Sequence, residues 1–283
     1  MDLTEALILG IVQGLTEFLP ISSTAHLRIV PALAGWDDPG AAFSAVIQIG
    51  TLAAVLAYFR RDIARIAHAW FGSLAGRRAE NHLDVRMGWM MIVATVPIVI
   101  CGLLFKDTIE TTLRSLYIVA GALIGLAIIL AVAELYVRRQ AARGVGQKQL
   151  DDVTWRDAIV TGLAQALALV PGSSRSGITI TAGLFCGLSR ETAARFSFLL
   201  SLPSVLAAGL YQLYKARESL LATSDDVLAL VVATIASAIV GYLSIAFLLR
   251  YLKTHTTYVF IAYRLLLGGA VLYWLSTGAL ASQ

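Results

Sequence analysis

Two apolar stretches of the sequence contain polar side chains of the kinds that catalysis and ligand binding use. An ionisable group at membrane depth costs roughly 2.5–3.5 kcal/mol on insertion scales, so it normally has a partner or a function. The residues of interest are Gln13, Glu17, Ser22, Ser23, Thr24 and His26 in the first stretch, about 3–35, and Ser173, Ser174, Arg175, Ser176, Gly177 and Thr179 in the second, about 158–189.

Each stretch is interrupted in its middle by a proline and small hydroxyl residues. The interruptions are residues 20–23 (Pro-Ile-Ser-Ser) and 171–174 (Pro-Gly-Ser-Ser). Serine and threonine are preferred at helix N-caps, so a new helix should begin after each break with its free N–H groups pointing toward the break. If the breaks meet, these amides, the hydroxyls and the guanidinium of Arg175 form an anion site, and phosphate is its most natural ligand.

The spacing within the first stretch suits acid–base or nucleophilic chemistry. Gln13 and Glu17 are four residues apart and share a helix face. Ser23 and His26 are three apart, which is close enough for a nucleophile and its base. Structural roles stay open for these groups. Serines in membrane helices often serve packing, a lone histidine is often a satisfied core residue, and burial favours the protonated form of a glutamate.

Several standard phosphate and metal chemistries are excluded by the sequence. No Gly-x-x-x-x-Gly-Lys loop and no His-Glu-x-x-His motif is present. The lipid phosphatases that combine an arginine loop with two histidines and an aspartate are a poor match, and the four histidines form no metal triad. Two further charged residues in apolar runs, Glu134 and Arg264, are interpreted as structural.

The composition identifies a polytopic membrane protein. Of the 283 residues, 14% are charged and 58% are hydrophobic, with a mean hydropathy of +0.77, whereas soluble domains carry about 25% charged residues. Each half of the two interrupted stretches is too short to cross a bilayer, so we expect re-entrant hairpins there. The predicted fold is therefore all-α, with two re-entrant hairpins and six spans at roughly 41–59, 87–105, 116–137, 192–214, 227–249 and 257–278.

Lysine and arginine counts predict the orientation in the membrane. Residues 60–88 hold six, among them Arg77 and Arg78, and residues 138–157 hold five, whereas 106–115 and 215–226 hold two each. The two basic loops should be cytoplasmic. The first hairpin then enters from outside, the second enters from the cytoplasm, and both termini face outward. The net charge of +4 thus reports topology and not nucleic-acid binding.

An internal repeat favours the same layout. We expect a single integral membrane domain, 1–283, with repeat 1 at about 1–137, repeat 2 at about 156–283 and a cytoplasmic loop, 138–155, between them. A unit of one hairpin and three spans changes side, so the second copy is predicted to be inverted. The repeated positions are Gly10, Gln13, Leu15, Pro20, Ser22 and Ser23, matched by Gly162, Gln165, Leu167, Pro171, Ser173 and Ser174 with one residue deleted before the second proline.

Two long motifs resemble the signatures of the bacterial undecaprenyl-diphosphate phosphatase family, also known as bacitracin-resistance proteins. They are residues 13–26 (Gln-Gly-Leu-Thr-Glu-Phe-Leu-Pro-Ile-Ser-Ser-Thr-Ala-His) and 171–177 (Pro-Gly-Ser-Ser-Arg-Ser-Gly). The likeness extends across nearly the whole chain and includes 43–50, 196–200 and Tyr263-Arg264. The family allows Gln at position 13, but this residue removes one carboxylate and weakens a two-carboxylate metal site.

The resemblance implies an enzyme of the bacterial inner membrane that hydrolyses undecaprenyl diphosphate to undecaprenyl phosphate and inorganic phosphate. It would supply the lipid carrier for peptidoglycan synthesis and confer bacitracin resistance. It further implies a homodimer, an active site open to the periplasm, and a divalent cation, Mg²⁺ or Ca²⁺, linked to Gln13 and Glu17. The functional positions of the family match Glu17, Ser23, His26 and Arg175, with Ser174 and Thr179 in the phosphate loop.

We favour a mechanism in which Ser23 attacks the terminal phosphorus with His26 as its base, and attack by His26 itself is the close alternative. Arg175 and the amides of 173–177 would hold the diphosphate, assisted by the other hydroxyl residues of the two breaks. A polyprenyl-phosphate transporter is the rival function, since inverted repeats and broken helices also suit alternating access. A third possibility is a module that only sequesters the lipid.

Overall fold

The computed structural model describes residues 1–76 and 82–280, and this part of the chain is helical and contains no β-strand. Arg77 and Arg78 of the first basic loop lie outside the described residues. Three short 3-10 helices, Thr112–Arg114, Leu150–Asp152 and Ala166–Leu169, join longer elements. The α-helices are α1 (Leu3–Phe18), α2 (Ser23–Ala34), α3 (Gly40–Tyr58), α4 (Arg60–Leu74), α5 (His82–Leu104), α6 (Lys106–Glu110), α7 (Leu116–Ala142), α8 (Trp155–Gln165), α9 (Arg175–Phe185), α10 (Arg190–Lys215), α11 (Arg217–Leu220), α12 (Ser224–Leu252) and α13 (Tyr258–Ser276).

Six of these helices are long and apolar enough to cross a membrane, which confirms the predicted number and positions of the spans. They are α3, α5, α7, α10, α12 and α13. Large apolar side chains remain exposed on them, for example Leu104 and Leu266 at 72% and 74%. Such exposure is costly in water but not in lipid, where the bilayer replaces the protein core as the apolar surrounding.

The two interrupted stretches each form a pair of shorter helices, as the sequence predicts. Helix α1 ends at Phe18 and α2 begins at Ser23, while α9 begins at Arg175 after the turn that follows Ala166–Leu169. At 1.5 Å per residue α1 is about 24 Å long and α2 about 18 Å, both shorter than the ~30 Å hydrocarbon layer. Neither helix of this pair spans that layer alone.

Both helix pairs begin with the same N-terminal motif. Asp2 caps α1 and forms a capping box with Glu5, and Thr154 caps α8 and forms a capping box with Asp157. In each box the cap side chain accepts a hydrogen bond from a backbone amide of the first turn, and the acid three residues later accepts one from the cap amide. The two boxes are offset by 152 residues, the same offset that relates Gly10 to Gly162.

Hydrogen bonds and ion pairs join the loops in two separate pairs. On one side, Arg86 donates to the carbonyl oxygens of Asp151 and Val153, which joins the two basic loops. On the other side, Asp38 pairs with Arg114 and joins the loop before α3 to the loop before α7. These contacts agree with the predicted assignment of the two basic loops to one face of the membrane.

Glu134 has the structural role that the sequence analysis gave it. Its carboxylate is fully buried in α7 and accepts hydrogen bonds from Arg190 at the start of α10. The amide and hydroxyl of Thr257, the cap residue of α13, donate to the same carboxylate. One buried anion therefore holds the ends of three spans together, and its charge is compensated by a guanidinium.

Two glycines allow the broken helices to pack tightly against spans. A Cβ at Gly10 of α1 would lie 2.8 Å from Cα of Ala233 in α12, and one at Gly162 of α8 would lie 2.6 Å from Cα of Ala94 in α5. Real Cβ atoms do not approach backbone this closely, so any larger residue must push the helices apart. Small residues at such crossings are how membrane helices gain close packing.

We predict that Gly10→Ala lowers the free energy of unfolding by about 1–3 kcal/mol, because the added methyl group overpacks the α1–α12 contact. The matched control is Gly125→Ala in α7, where the added carbon meets nothing within 4 Å. That variant should be neutral or stabilising by about 0.5–1 kcal/mol, since alanine favours a helix over glycine. Unfolding titrations in mixed detergent micelles measure both. Equal effects of the two variants would show that α1 and α12 are not in close contact.

Candidate active site

The breaks share an unusual backbone conformation that sets the direction of the helices after them. Ser22 (φ 75°, ψ 97°) and Ser174 (φ 69°, ψ 105°) are the only non-glycine residues with positive φ in the described part of the chain. Each is an N-cap whose hydroxyl accepts the amide hydrogen three residues later, Ala25 or Gly177. Such strain costs of order 1–3 kcal/mol per residue and is concentrated at functional sites.

This conformation corrects the predicted alignment of the two motifs. The sequence analysis matched Ser22 to Ser173 and Ser23 to Ser174 by deleting one residue before Pro171. The structure instead matches Ser22 to Ser174 at the constant offset of 152, with no deletion. Ser23 therefore corresponds to Arg175, and the two breaks contribute different chemical groups at the same position of the turn.

The carboxylate of Glu17 connects the two breaks. Its Oε2 accepts hydrogen bonds from Gln13 Nε2 at 2.7 Å and from Ser23 Oγ at 2.6 Å, and its Oε1 accepts one from Arg175 NH2 at 2.6 Å. Both members of the ion pair are largely buried, at 4% exposure for Glu17 and 14% for Arg175. Four of the predicted site residues thus meet at one carboxylate, both oxygens of which accept hydrogen bonds.

His26 lies in the same region but does not contact Ser23 through a hydrogen bond. Its Nδ1 is 2.7 Å from the carbonyl oxygen of Ser22, and its Nε2 is 2.7 Å from the hydroxyl of Tyr263. Both ring nitrogens are occupied, and the tyrosine ring stacks on the imidazole. The expected Ser23–His26 pair is therefore not formed, because Ser23 donates to Glu17 and both ring nitrogens of His26 have other partners. The residue positioned to accept the Ser23 proton is Glu17.

Two further contacts join the breaks in a reciprocal way. The amide of Gly172 donates to Thr24 Oγ1 at 3.2 Å, and Ser176 Oγ donates to the carbonyl oxygen of Leu19 at 3.1 Å. Thr24 and Ser176 are themselves offset by 152 residues. Each hydroxyl also lies beside its own cap serine, at 3.1 Å and 3.2 Å. The tips of the two helix pairs therefore meet, as the sequence analysis predicts.

Several predicted phosphate-binding residues are used for structure. Ser173 donates to the carbonyl oxygen of Val170, and Thr179, one turn into α9, contacts the Arg175 carbonyl oxygen and the hydroxyl of Ser197 in α10. A Cβ at Gly177 would lie 2.9 Å from a guanidinium nitrogen of Arg264, so this position has no room for a side chain. The groups that contact the Glu17 carboxylate are therefore the amide of Gln13, the hydroxyl of Ser23 and the guanidinium of Arg175.

Arg264 is the main structural support of the site. It is fully buried in α13 and donates hydrogen bonds to the carbonyl oxygens of Pro20, Gly172 and Ser173 in the two breaks. It also donates to two carbonyl oxygens of α7. A guanidinium has five donors in a planar fork, so one side chain satisfies turn carbonyls that have no helical partner. This agrees with the structural interpretation of Arg264, and it adds that the residue holds both tips.

Few oxygen atoms of the site could ligate a cation, and one of them has no hydrogen-bond partner. Gln13 Oε1 is buried without a hydrogen-bond partner, next to the Glu17 carboxylate that its own Nε2 contacts. In the described residues no group of three or more His, Cys, Asp or Glu side chains has metal-binding geometry. A hard cation prefers six or more oxygens, so Gln13 and Glu17 fit it only as part of a shell completed by phosphate and water.

A cavity of about 510 Å³ adjoins the breaks. Thr24 and Pro171 form its inner end, and Arg28, Lys106 and Arg114 line it farther out. The sequence analysis missed these three cations and Tyr263. One local signal was available, because Arg28 is four residues after Thr24 and shares its helix face. The contacts of Tyr263 and Arg114 join residues far apart in sequence and leave no local pattern.

We predict that Arg264→Lys lowers the free energy of unfolding by at least about 3 kcal/mol, because an ammonium cannot bond carbonyls in both breaks and in α7 at once. Arg250→Lys, at an exposed position of α12, is the matched control and should change stability by less than about 0.5 kcal/mol. Mixed-micelle unfolding titrations compare the two. Equal stability of the Arg264 variant and the unsubstituted protein would contradict a supporting role for this side chain.

Comparisons with known proteins identify the family of this chain. Residues 6–270 match the family described as Bacitracin resistance protein BacA. Proteins named Undecaprenyl-diphosphatase from Chlorobium limicola and Chloroherpeton thalassium are each 62% identical to this chain over 280 residues, which is 99% of both lengths. A protein of the same name from Prosthecochloris aestuarii is 60% identical over 278 residues. The chain is a helical membrane protein and belongs to the BacA bacitracin-resistance family.

Proposed function

We propose that this chain hydrolyses undecaprenyl diphosphate to undecaprenyl phosphate and inorganic phosphate, and so recycles the lipid carrier of peptidoglycan synthesis. The name shared by its relatives supports this activity. The observation that carries the proposal is the contact of Glu17 with both Ser23 and Arg175. A nucleophile, a proton acceptor and a phosphate-binding cation meet at the tips of two helices whose N-termini favour anions.

In the proposed reaction Ser23 Oγ attacks the terminal phosphorus and passes its proton to Glu17, which already accepts that hydrogen bond at 2.6 Å. The bond to the bridging oxygen breaks, and undecaprenyl phosphate leaves. Water then hydrolyses the phosphoserine and releases inorganic phosphate. Arg175 pairs with Glu17 before substrate binds. Its transfer to the phosphate would leave Glu17 a stronger base when the proton must move.

His26 is the alternative nucleophile. Its Nε2 is held by the hydroxyl of Tyr263, so attack from this nitrogen requires that contact to open. The contact of Ser23 with a carboxylate supports serine, because a hydroxyl needs an adjacent base and an imidazole does not. The other role open to His26 is proton transfer to the leaving oxygen, with Tyr263 orienting the ring.

A divalent cation, Mg²⁺ or Ca²⁺, is proposed at Gln13 and Glu17. The unpartnered Gln13 Oε1 supports this position, since a buried oxygen without a donor is costly. When bound, the cation would offset the negative charge of the diphosphate. Substrate oxygens and water would supply most of its ligands.

We propose that α1–α2 and α8–α9 are re-entrant hairpins in two inverted repeats, about 1–137 and 156–283, of a single integral domain. The equal offset of the capping boxes and of the strained serines supports this. So does the packing of α1 on α12 and of α8 on α5, in which each hairpin contacts the second span of the other repeat.

The basic loops support an inner-membrane orientation with the loops at 60–88 and 138–157 in the cytoplasm. The cavity that adjoins the breaks reaches Arg114, on the side opposite to those loops, so it would open to the periplasm. A homodimer stays a prediction of the family resemblance, and cross-linking in native membranes would test it. A lipid transporter remains the rival function, since the same pocket suits alternating access.

We predict that purified protein with Mg²⁺ or Ca²⁺ releases phosphate from undecaprenyl diphosphate, and that Ser23→Ala lowers kcat by at least about 10³-fold by removing the nucleophile. Ser244→Ala is the matched control, because Ser244 is also buried but lies in α12 and donates to the carbonyl oxygen of Val240. It should keep kcat within about twofold. Phosphate release is measured in detergent micelles.

Trapping of the phosphorylated enzyme distinguishes Ser23 from His26 as the nucleophile. A phosphate that survives acid and maps to Ser23 supports serine attack, whereas an acid-labile phosphate on His26 would overturn it. A wild-type protein that releases no phosphate but moves polyprenyl phosphate between the leaflets of vesicles would replace the hydrolase with the transporter.

A further inference from the structure

The 510 Å³ cavity joins a cationic region to the catalytic break. Its walls between α3, α5 and α10 are apolar, with Ala45, Val99 and Ala208 among their residues. Its inner end is formed by Thr24, the neighbour of Ser23, and by Pro171 of the second break. The size and the mostly apolar walls with a few polar groups are typical of a ligand site.

Three cations line the cavity away from the break. Arg28 belongs to α2, Lys106 begins α6 and Arg114 ends the 3-10 helix before α7. None of the cavity-lining residues in the described part of the chain is acidic. The arginine side chains are only 12% and 19% exposed, so they do not reach into open water as interfacial arginines commonly do.

One aspartate outside the cavity holds the two arginines together. Asp38 Oδ2 is 2.5 Å from Arg28 NH1 and 2.6 Å from Arg114 NH2. Burial by itself raises the pKa of the Asp38 carboxyl, but the hydrogen bond and charge of Arg114, the amide of Gly40 and the charge of Arg28 hold that pKa below its ordinary value. The aspartate is therefore ionised and neutralises one of two converging guanidinium groups.

The remaining positive charge is available to an anion in the cavity. The Nε of Arg28 is buried and has no hydrogen-bond partner, so this guanidinium has an unused donor. Lys106 lies over the ring of Tyr211, 5.5 Å from its centroid, which adds a second cation along the wall. The two guanidinium groups share one carboxylate, so the Arg28–Asp38–Arg114 cluster keeps a net positive charge that favours an anionic group such as a diphosphate.

The distance to the reacting groups also fits. Thr24 and Arg28 are four residues apart on one face of α2, which is about 6 Å along the helix axis. An anion bound at Arg28 therefore lies one helical turn from the residue beside Ser23. A diphosphate entering along the apolar walls would meet these cations before it meets Arg175.

We propose that Arg28 and Arg114 form a docking site that captures the diphosphate group of the incoming prenyl diphosphate and determines the affinity for this substrate. This inference rests on the proposed function. The two arginines contribute to binding in the ground state and not to the chemical step. Their removal should therefore raise KM and leave kcat nearly unchanged.

The first test compares Arg28→Gln and Arg114→Gln with Arg217→Gln in phosphate release from undecaprenyl diphosphate in nonionic micelles. Arg217 lies on the same side as Arg114, half-exposed and beside Glu218 and Tyr214, and does not line the cavity. Each cavity variant should raise KM about tenfold, keep kcat within about twofold, and weaken the decline of kcat/KM with added salt. The control should match the unsubstituted protein. A fall in kcat at unchanged KM, or equal effects in the control, would overturn the proposal.

The second test measures the binding affinity in a variant that does not turn over substrate. Inorganic pyrophosphate is titrated calorimetrically into full-length Ser23→Ala, with and without Arg28→Gln and Arg114→Gln. The added substitutions should weaken pyrophosphate binding at least about tenfold, and unchanged affinity would overturn the docking site even if hydrolysis is confirmed. If pyrophosphate does not bind but anionic phospholipid does so to saturation, the cations bind lipid headgroups. That result would also overturn the docking site. A wild-type protein that binds pyrophosphate through these arginines but releases no phosphate would reject only the proposed function.

Discussion

A carboxylate and a guanidinium in an apolar interior must form an ion pair. This requirement organises the molecule around Glu17 and Arg175. An isolated charge at that depth is costly, whereas an ion pair with further hydrogen bonds is tolerated. Glu17 ends the helix before the first break and Arg175 begins the helix after the second. The pair forms only if both helices stop and their tips meet. The strained serines at the two turns and the carbonyl contacts of Arg264 then hold the tips in place.

The same interaction explains how the site would respond to its substrate. Without an anion, Arg175 is neutralised by Glu17 and Ser23 donates to the same carboxylate. In the proposed reaction a bound phosphate would offer the arginine a second partner, and the carboxylate would then accept the serine proton. The cluster of Arg28, Asp38 and Arg114 repeats this arrangement farther out, with one acid shared between cations. In both places an arginine is paired with a carboxylate close to a proposed binding position for the diphosphate.

Much of this arrangement could be predicted from the sequence, because hydropathy fixes the spans and a proline with hydroxyl residues fixes the breaks. The high cost of an ionisable group at membrane depth pointed to Glu17 and Arg175 as site residues, but the direct pair between them was not predicted. The partner of Ser23 did not follow. Ser23 and His26 are three residues apart in α2, but Ser23 donates to Glu17 and both ring nitrogens of His26 have other partners. The contacts of Tyr263 and Arg114 were also missed, because they join segments 237 and 76 residues apart and depend on tertiary packing. Aligning the two motifs on their prolines does not align their strained serines, because Pro20 lies two residues before Ser22 and Pro171 lies three before Ser174.

The central claim is that a direct ion pair joins the two halves of the protein through Glu17 and Arg175. A double-mutant cycle with Glu17→Gln, Arg175→Gln and the combined variant, measured as free energy of unfolding in mixed micelles, tests it most directly. The account predicts that each single substitution is strongly destabilising, by about 3 kcal/mol, because it leaves the other charge buried and unpaired. The combined variant should then be more stable than the sum of the two effects by about 2 kcal/mol or more. Effects that add to within about 0.5 kcal/mol would contradict the pair, and with it the meeting of the two breaks.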